Sequence, residues 1–140
     1  DPSAVTFVAQ KHGFTPNEMS DYMNKKSGFL GLSGVSSDNR EVSAAAAHGD
    51  KRACLVNEML AYQIKKDIGA YTAAMNGVDA IIFTGGIGEN DPPTRENSCS
   101  DLDFFGIKID KELNKTVRGK KCKISTPDSK GNMRTVIILT

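Results

Sequence analysis

The sequence predicts an α/β fold in which helices pack around a sheet. Helical patterns fill the first half of the 140 residues, and strand-like apolar runs become common in the second half. The clearest observation is a continuous apolar run at 79–84, which follows the longest helical pattern and directly precedes a glycine-rich junction. Such a run predicts a strand buried on both faces of a sheet. We expect one domain, because 140 residues are enough to bury a sizeable core.

Two short helices are predicted at the N-terminal end. Asp1 can cap the first, a proline occupies its first position, and Gly13 follows its apolar residues. Thr15 and Glu18 have the spacing of a capping box, which predicts the start of the second helix. Gly28 is expected to end that helix.

The stretch at 28–40, rich in glycine and serine, predicts a long loop of the kind that often carries function. Helix returns at 41–47 and pauses at Gly49, after which the longest helix runs to about residue 76. Gly77 is predicted to be the left-handed residue that stops it. The apolar positions of this long helix are Ala53, Val56, Leu60, Ile64, Tyr71 and Met75.

The last third of the chain is predicted to be mostly strand. A helix that Asp91 caps comes first, and strand patterns then occupy 105–109, 122–126 and 134–140. A turn at 127–131 separates the last two strands.

Composition argues against several classes of partner. The 18 Lys and Arg balance 17 Asp and Glu to a formal charge of +1, so no nucleic acid or anionic membrane is expected as a partner. The densest basic patch, at 118–123, lacks interleaved aromatic residues and is interpreted as a solvated strand edge. No segment has the roughly 18 apolar residues of a membrane span, and no signal peptide is recognisable. The three cysteines lack metal-ligand spacing and fit a reducing cytosol.

The sharpest local feature is the junction at which the strand gives way to Gly85, Gly86, Ile87, Gly88, Glu89 and Asn90. A strand that ends in glycines before a helix places backbone amides at one sheet edge, with no Cβ to keep a ligand away. The junction therefore favours phosphate or another nucleotide group. The alternative is a tight turn whose glycines only satisfy backbone geometry. The motif is neither a Walker A loop nor G-x-G-x-x-G.

Several polar residues have two interpretations. Glu89 and Asn90 can hydrogen-bond a ribose, a base edge or a metal-bound water. The alternative is that Asn90 or Asp91 simply caps the next helix. Asp38 and Glu41 have capping-box spacing, which leaves Arg40 unexplained. An Arg there can stack on a base or bind a phosphate, whereas an exposed ion pair is the commoner outcome.

No pattern in the sequence predicts nucleophilic catalysis. His12 and His48 lack partners at ligand spacing and are interpreted as surface or helix-end residues. No G-x-S-x-G motif is present, and the serines at 33–37 have no identifiable base.

Taken together, the motifs resemble one family. The segments that carry the resemblance are NKKSGFLGLSGVSSDNR at 24–40, NGVDAIIFTGGIGEN at 76–90, FGIK at 105–108 and ISTPDS at 124–129. They resemble the acetate kinases, the acetokinase family of short-chain carboxylate kinases, in the same order along essentially the whole chain.

The resemblance implies a ribonuclease H-like fold, shared by the acetate and sugar kinases, actin and the heat-shock chaperone ATPases. Residues 1–140 would form part of the C-terminal nucleotide-binding and dimerisation domain, with the N-terminal domain and the extreme C-terminus absent. The implied reaction is reversible phosphoryl transfer from ATP to acetate, giving acetyl phosphate and ADP, with Mg²⁺. A cytoplasmic homodimer is implied, as are acetate and ATP as its small-molecule substrates.

By position in the family motifs, Asp38, Asn39 and Arg40 would contact the adenosine part of the nucleotide, and Gly85 to Asn90 would form a second nucleotide-binding loop. No catalytic or metal residue is expected in this chain. The family's catalytic Arg would fall just before Asp1, and its TNEE segment, whose Glu helps to hold Mg²⁺, would follow Thr140. Position 1 is not a methionine, which suggests a processed, excised or truncated product. The missing segments imply that this product is inactive alone. The alternatives are a propionate kinase and a stand-alone, non-catalytic nucleotide-binding or dimerisation module.

Overall fold

The computed structural model describes residues 1–129 and 135–138, and the chain forms two compact units, Asp1–Asn57 and Glu58–Thr140. The helices of the described residues are α1 (Pro2–His12), α2 (Pro16–Lys26), α3 (Gly28–Ser33), α4 (Asn39–Ala47), α5 (Lys51–Ala74), α6 (Gly85–Asn90), α7 (Pro92–Ser98) and α8 (Lys111–Thr116). The strands are β1 (Ala80–Phe83), β2 (Cys122–Lys123) and β3 (Thr135–Ile138), and a short 3₁₀ helix covers Asp103–Phe105.

The first two helices begin where their caps predicted. The Asp1 carboxylate accepts a hydrogen bond from the Ser3 amide at 2.8 Å, and α1 ends at Gly13 with φ +67°. The capping box of α2 is complete, because the Thr15 amide donates to the Glu18 carboxylate at 2.8 Å and the Glu18 amide donates back to the Thr15 hydroxyl. The hydrogen bonds from Thr15 lower the pKa of Glu18.

The predicted loop at 28–40 is partly wrong, because its first six residues form α3. Phe29, on this helix, packs against a small core made by Val42, Ala53 and Val56. Burial of an aromatic side chain can order a glycine- and serine-rich segment that has little helical tendency of its own. Gly34, with φ +73°, ends α3.

The long helix α5 begins after Asp50, whose carboxylate accepts from the Ala53 amide at 2.9 Å. Its end differs from the prediction. Asn76 is the left-handed residue, at φ +56°, and the Gly77 amide donates to the Thr72 carbonyl at 2.8 Å. This is the Schellman arrangement, in which the residue before the last donor adopts the left-handed conformation. Asn76 therefore holds the cap position that was predicted for Gly77, and Gly77 after it also has a positive φ, +116°.

The apolar face predicted for α5 is buried only in part. Ala53 and Val56 are buried, whereas Tyr71 and Met75 are 66% and 59% exposed.

The sheet has the strand order β1-β3-β2, with β1 parallel to β3 and β2 antiparallel to it. Phe83, on β1, lies in the core of the second unit, but Ile82 on the opposite face is 52% exposed. The prediction that this strand is buried on both faces is thus wrong for the described residues. Besides Phe83, the buried core of the second unit contains Cys99, Leu102, Ile107, Val117 and Ile124. Burial raises the pKa of the Cys99 thiol to about 12.

The last third contains more helix than predicted. The expected strand at 105–109 is wrong, since Phe105 ends the 3₁₀ helix, Gly106 has φ +82°, and Ile109 makes a single antiparallel bridge. The unpredicted helix α8 follows, capped by Asp110, which accepts from the Leu113 amide at 2.9 Å.

The two later strand predictions are shortened by the structure. The strand at 122–126 is reduced to β2, and β3 lies within the predicted strand at 134–140. Residues 134, 139 and 140 of the last predicted strand lie outside the described residues, as do residues 130 and 131 of the turn predicted at 127–131.

Across residues 1–129 and 135–138, no helix combines the length and the apolar character that crossing a membrane requires.

Candidate functional site

The glycine-rich junction at 85–90, for which a nucleotide loop and a tight turn were the two interpretations, forms the short helix α6, which follows β1 after Thr84. The Glu89 carboxylate accepts from the Gly85 amide at 3.0 Å, and the Asn90 side-chain amide donates to the Gly86 carbonyl at 3.1 Å. Both polar side chains that the sequence proposed for ligand contact therefore bind the backbone of their own helix. These two hydrogen bonds stabilise α6 through contacts within the helix itself.

The three glycines of α6 differ in whether the fold explains why glycine occupies the position. Gly85 has φ +72°, a conformation that favours glycine. A Cβ at Gly88 would lie 3.3 Å from the carbonyl carbon of Phe83, so the close packing of α6 against β1 favours a residue without a side chain at position 88. Gly86 has neither reason, since its φ is not left-handed and a Cβ built there meets nothing within 4 Å. The fold leaves the glycine at 86 unexplained, and the open space beside it is accessible to a ligand.

Among residues 1–129 and 135–138, no side chain caps the amino end of α6. Thr84 provides no side-chain cap, and the amides of Gly86 and Ile87 lie in the first turn, where backbone donors lack partners within the helix. The next helix is capped separately by Asp91, which accepts from the Thr94 hydroxyl at 2.9 Å and from its amide at 3.4 Å. The capping interpretation thus holds for Asp91.

Sequence reasoning missed Arg95, which is completely buried in α7. Its Nη1 donates to the carbonyls of Gly88 and Glu89, both at 2.9 Å. Its Nη2 donates to the carbonyls of Asn114 and Val117 at 3.0 Å, and its Nε donates to the Asn114 side-chain oxygen at 2.8 Å. A guanidinium has five N–H donors, so these five bonds use all of them. Burial lowers the pKa of Arg95.

Asn114, on α8, completes this buried cluster. It is fully buried, and its side-chain amide donates to the Pro92 carbonyl at 3.0 Å. The bonds between Arg95 and Asn114 join residues 19 positions apart. No local pattern in the sequence signals them, because an Arg in the first turns of a helix and an Asn in a polar segment both resemble surface residues.

The second predicted segment lies at the start of α4. The Asp38 carboxylate accepts from the Arg40 amide at 2.8 Å, which caps the helix, and from the Arg40 guanidinium through Nε at 3.1 Å and Nη2 at 2.5 Å. These bonds lower the pKa of Asp38 to about 2. Asn39 is the first residue of the helix and is half-buried.

The Arg40 side chain is 89% exposed, so the ion pair orients the guanidinium while leaving it accessible. Asp38, Asn39 and Arg40 belong to the first unit, and Gly85 to Asn90 belong to the second.

The two histidines lie at helix ends, as predicted. His12 is the last residue of α1 and stacks on Phe14 with 5.3 Å between ring centroids. His48 caps the C-terminal end of α4, with its Nδ1 2.7 Å from the Ala44 carbonyl oxygen. Cys54, Cys99 and Cys122 are free thiols.

The acetokinase family model matches residues 1–140. The acetate kinase of Bacteroides thetaiotaomicron is 53% identical over 140 residues, which cover all of this chain and 35% of that protein. The crystal structure of Porphyromonas gingivalis acetate kinase matches 99% of this chain and 34% of its own, with a TM-score of 0.89 and 49% identity. A propionate kinase from Francisella tularensis subsp. tularensis SCHU S4 matches the same shares with a TM-score of 0.81 and 33% identity.

The fold is therefore the α/β, ribonuclease H-like class of the acetate and sugar kinase superfamily, represented here by part of a domain. The chain belongs to the acetokinase family. It spans about a third of the length of the curated relatives that it matches.

Proposed function

We propose that this chain is part of the nucleotide-binding, C-terminal domain of an acetate kinase. In the proposed reaction a carboxylate oxygen of acetate attacks the γ-phosphorus of ATP, the bond to the bridging oxygen breaks, and ADP leaves with the bonding electron pair. The family match over residues 1–140 is the observation that carries the proposal. The identity to acetate kinases supports acetate as the acceptor.

The nucleotide role is assigned to two segments. We propose that Gly85 to Asn90 bind the nucleotide through the open first-turn backbone of α6, and the unexplained glycine at position 86 supports this assignment. We propose that Asp38, Asn39 and Arg40 contact the adenosine part, which the exposed and oriented guanidinium of Arg40 supports. Phosphoryl transfer depends chiefly on positioning and on neutralising charge, so such contacts suit the reaction without a covalent side chain.

The described residues do not include a ready-made cluster of protein ligands for Mg²⁺. No group of three His, Cys, Asp or Glu residues that could hold a metal converges among the described residues. We therefore derive no step from a metal held by these residues. The proposal places the Mg²⁺ ligand, the catalytic Arg and the acetate pocket in other segments of the whole protein, which would act as a cytoplasmic homodimer.

The proposal is tested by assaying the full-length protein with ATP, Mg²⁺ and either acetate or propionate. We expect acetyl phosphate to form, and kcat/KM to be higher with acetate than with propionate. The likeness to a propionate kinase structure makes that enzyme the second candidate. A preference for propionate would select the second candidate, and no phosphoryl transfer to either acid would refute both.

A further inference from the structure

The short helix α6 needs support from outside itself. It has six residues, and helices of this length are not stable on their own hydrogen bonds. Its first turn carries the backbone proposed to bind nucleotide. Whatever holds the other end of α6 therefore sets where that backbone lies.

Arg95 supplies the support at that other end. Its Nη1 binds the Gly88 and Glu89 carbonyls, which belong to the last turn of α6. Carbonyls in a last turn have no partner within the helix, and a cation there also interacts favourably with the helix dipole. The backbone of Gly119 adds one longer bond, from its amide to the Glu89 carbonyl at 3.4 Å.

The same guanidinium fixes α6 relative to α8. Its remaining donors bind the side chain and carbonyl of Asn114 and the carbonyl of Val117, at the C-terminal end of α8. Asn114 in turn binds the Pro92 carbonyl at the start of α7. A guanidinium is planar and rigid, so five bonds to one group fix three helices in a single geometry. All five acceptors are amide oxygens, and none is a carboxylate.

We infer that Arg95 and Asn114 are positioning residues for the nucleotide segment Gly85 to Asn90. They act on the nucleotide through α6 rather than by touching it. The inference rests on the proposed function and deepens it, because it identifies the buried pair that holds the binding segment in place.

The test uses the full-length protein with Arg95→Lys and Asn114→Ala. Lysine keeps the charge but has three donors on a flexible stem, so it cannot make the five bonds. We expect KM for ATP to rise about tenfold in both variants, the effect of losing one or two net hydrogen bonds, with KM for acetate within about twofold of wild type.

Ile124→Val is the matched control, because Ile124 is fully buried in the core of the same unit. It should lower the melting temperature and leave KM for ATP unchanged. If Arg95→Lys and Asn114→Ala behave like this control, the two residues are merely structural and the inference is overturned.

A measurement on the wild-type protein covers the case in which neither variant folds. Hydrogen exchange with and without ATP should show slower exchange at both 85–91 and 111–117, since Arg95 couples these segments. Slower exchange at 85–91 alone would overturn the inference. A wild-type protein that neither binds ATP nor forms acetyl phosphate would instead refute the proposed function, before any variant is made.

Discussion

At the scale of single residues, Gly86 offers a test in which stability and binding move in opposite directions. The space beside it is open, so Gly86→Ala should leave the fold intact and stabilise α6 by roughly 0.5–1 kcal/mol, because alanine loses less backbone entropy. The added methyl group would occupy the space through which a nucleotide approaches the backbone, so KM for ATP should rise. Thermal unfolding and steady-state kinetics of the full-length protein measure both effects.

Gly88 provides the control for this substitution. A Cβ there would lie 3.3 Å from the Phe83 carbonyl carbon, so Gly88→Ala should lower the melting temperature. If Gly86→Ala is stable and KM for ATP does not change, the glycines only serve the geometry of the turn, and the nucleotide role of α6 is wrong.

Arg40 is the second residue whose role can be separated from its local structure. In the full-length protein, Arg40→Ala should weaken ATP binding about tenfold to a hundredfold, the loss typical of one charge-assisted contact. Arg40→Lys keeps the charge but cannot reproduce the fork that Asp38 orients, so it should restore only part of the affinity. An unchanged Kd for ATP in Arg40→Ala would make the ion pair an ordinary surface contact.

The pH dependence of ATP binding follows from the same ion pair. The pKa of Asp38 is lowered to about 2, so Asp38 stays ionised and keeps Arg40 oriented even at the pH at which ordinary carboxyl groups take up a proton. The ionised form and this orientation are lost only as the pH falls toward 2. Between pH 5 and 8, titration of Asp38 should therefore contribute nothing to the change in Kd for ATP, and Asp38→Asn should shift Kd by the same factor throughout this range.

At the scale of secondary-structure elements, the end of α5 depends on a residue that is not glycine. Asn76 has φ +56°, which asparagine tolerates better than alanine. Asn76→Gly should therefore leave the free energy of unfolding unchanged or higher, whereas Asn76→Ala should lower it by about 1 kcal/mol. Urea denaturation distinguishes the two variants. Equal stability of both would show that the left-handed conformation is not required there.

The elements that could be predicted from the sequence are those defined by local hydrogen bonds. Asp1, Thr15 with Glu18, Asp38 and Asp91 each cap the helix that their spacing predicted. A cap depends on residues two or three positions away, so a linear pattern contains all the information it needs.

The short elements were missed because their stability comes from distant partners. α3 depends on packing of Phe29 into the core of the first unit, and α6 on the carbonyl contacts of Arg95. The apolar alternation at 105–109 resembles a strand, but Gly106 at φ +82° interrupts it and Ile109 makes only one bridge, to Ser125. Neither the partner nor its distance can be inferred from a short window of sequence.

The same distinction between local and distant contacts applies to the candidate site. Both segments could be found from the motifs, but their local geometry could not be predicted. Glu89 and Asn90 bond to their own helix, and the residue that holds that helix, Arg95, is buried and binds acceptors up to 22 positions away. A buried Arg whose hydrogen-bond acceptors are all amide oxygens leaves no charge pattern in the sequence, since none of those acceptors is a carboxylate.

At the scale of the whole molecule, the near-balanced charge agrees with a site built from backbone amides. A formal charge of +1 leaves the chain with no large excess of basic residues, and the proposed contacts through first-turn amides, one oriented Arg and a metal from elsewhere would need none. A chain that supplies only some of these contacts should bind nucleotide weakly. This expectation distinguishes a part of an enzyme from a self-sufficient module.

The 140-residue chain, produced alone and shown to be folded by circular dichroism, should bind ATP weakly and form no acetyl phosphate. The physical reason is that the proposed acetate pocket, catalytic Arg and metal ligand lie in other segments, so neither the acceptor nor the transferring phosphoryl group is held in position. Calorimetry with ATP and a product assay measure the two properties, and the full-length protein serves as the active control. Submicromolar ATP binding by the chain alone, together with a native product of 15.1 kDa, would instead support the stand-alone module. Acetyl phosphate formed by the chain alone would contradict the proposed division of the site, since it would require a complete acceptor pocket within these residues.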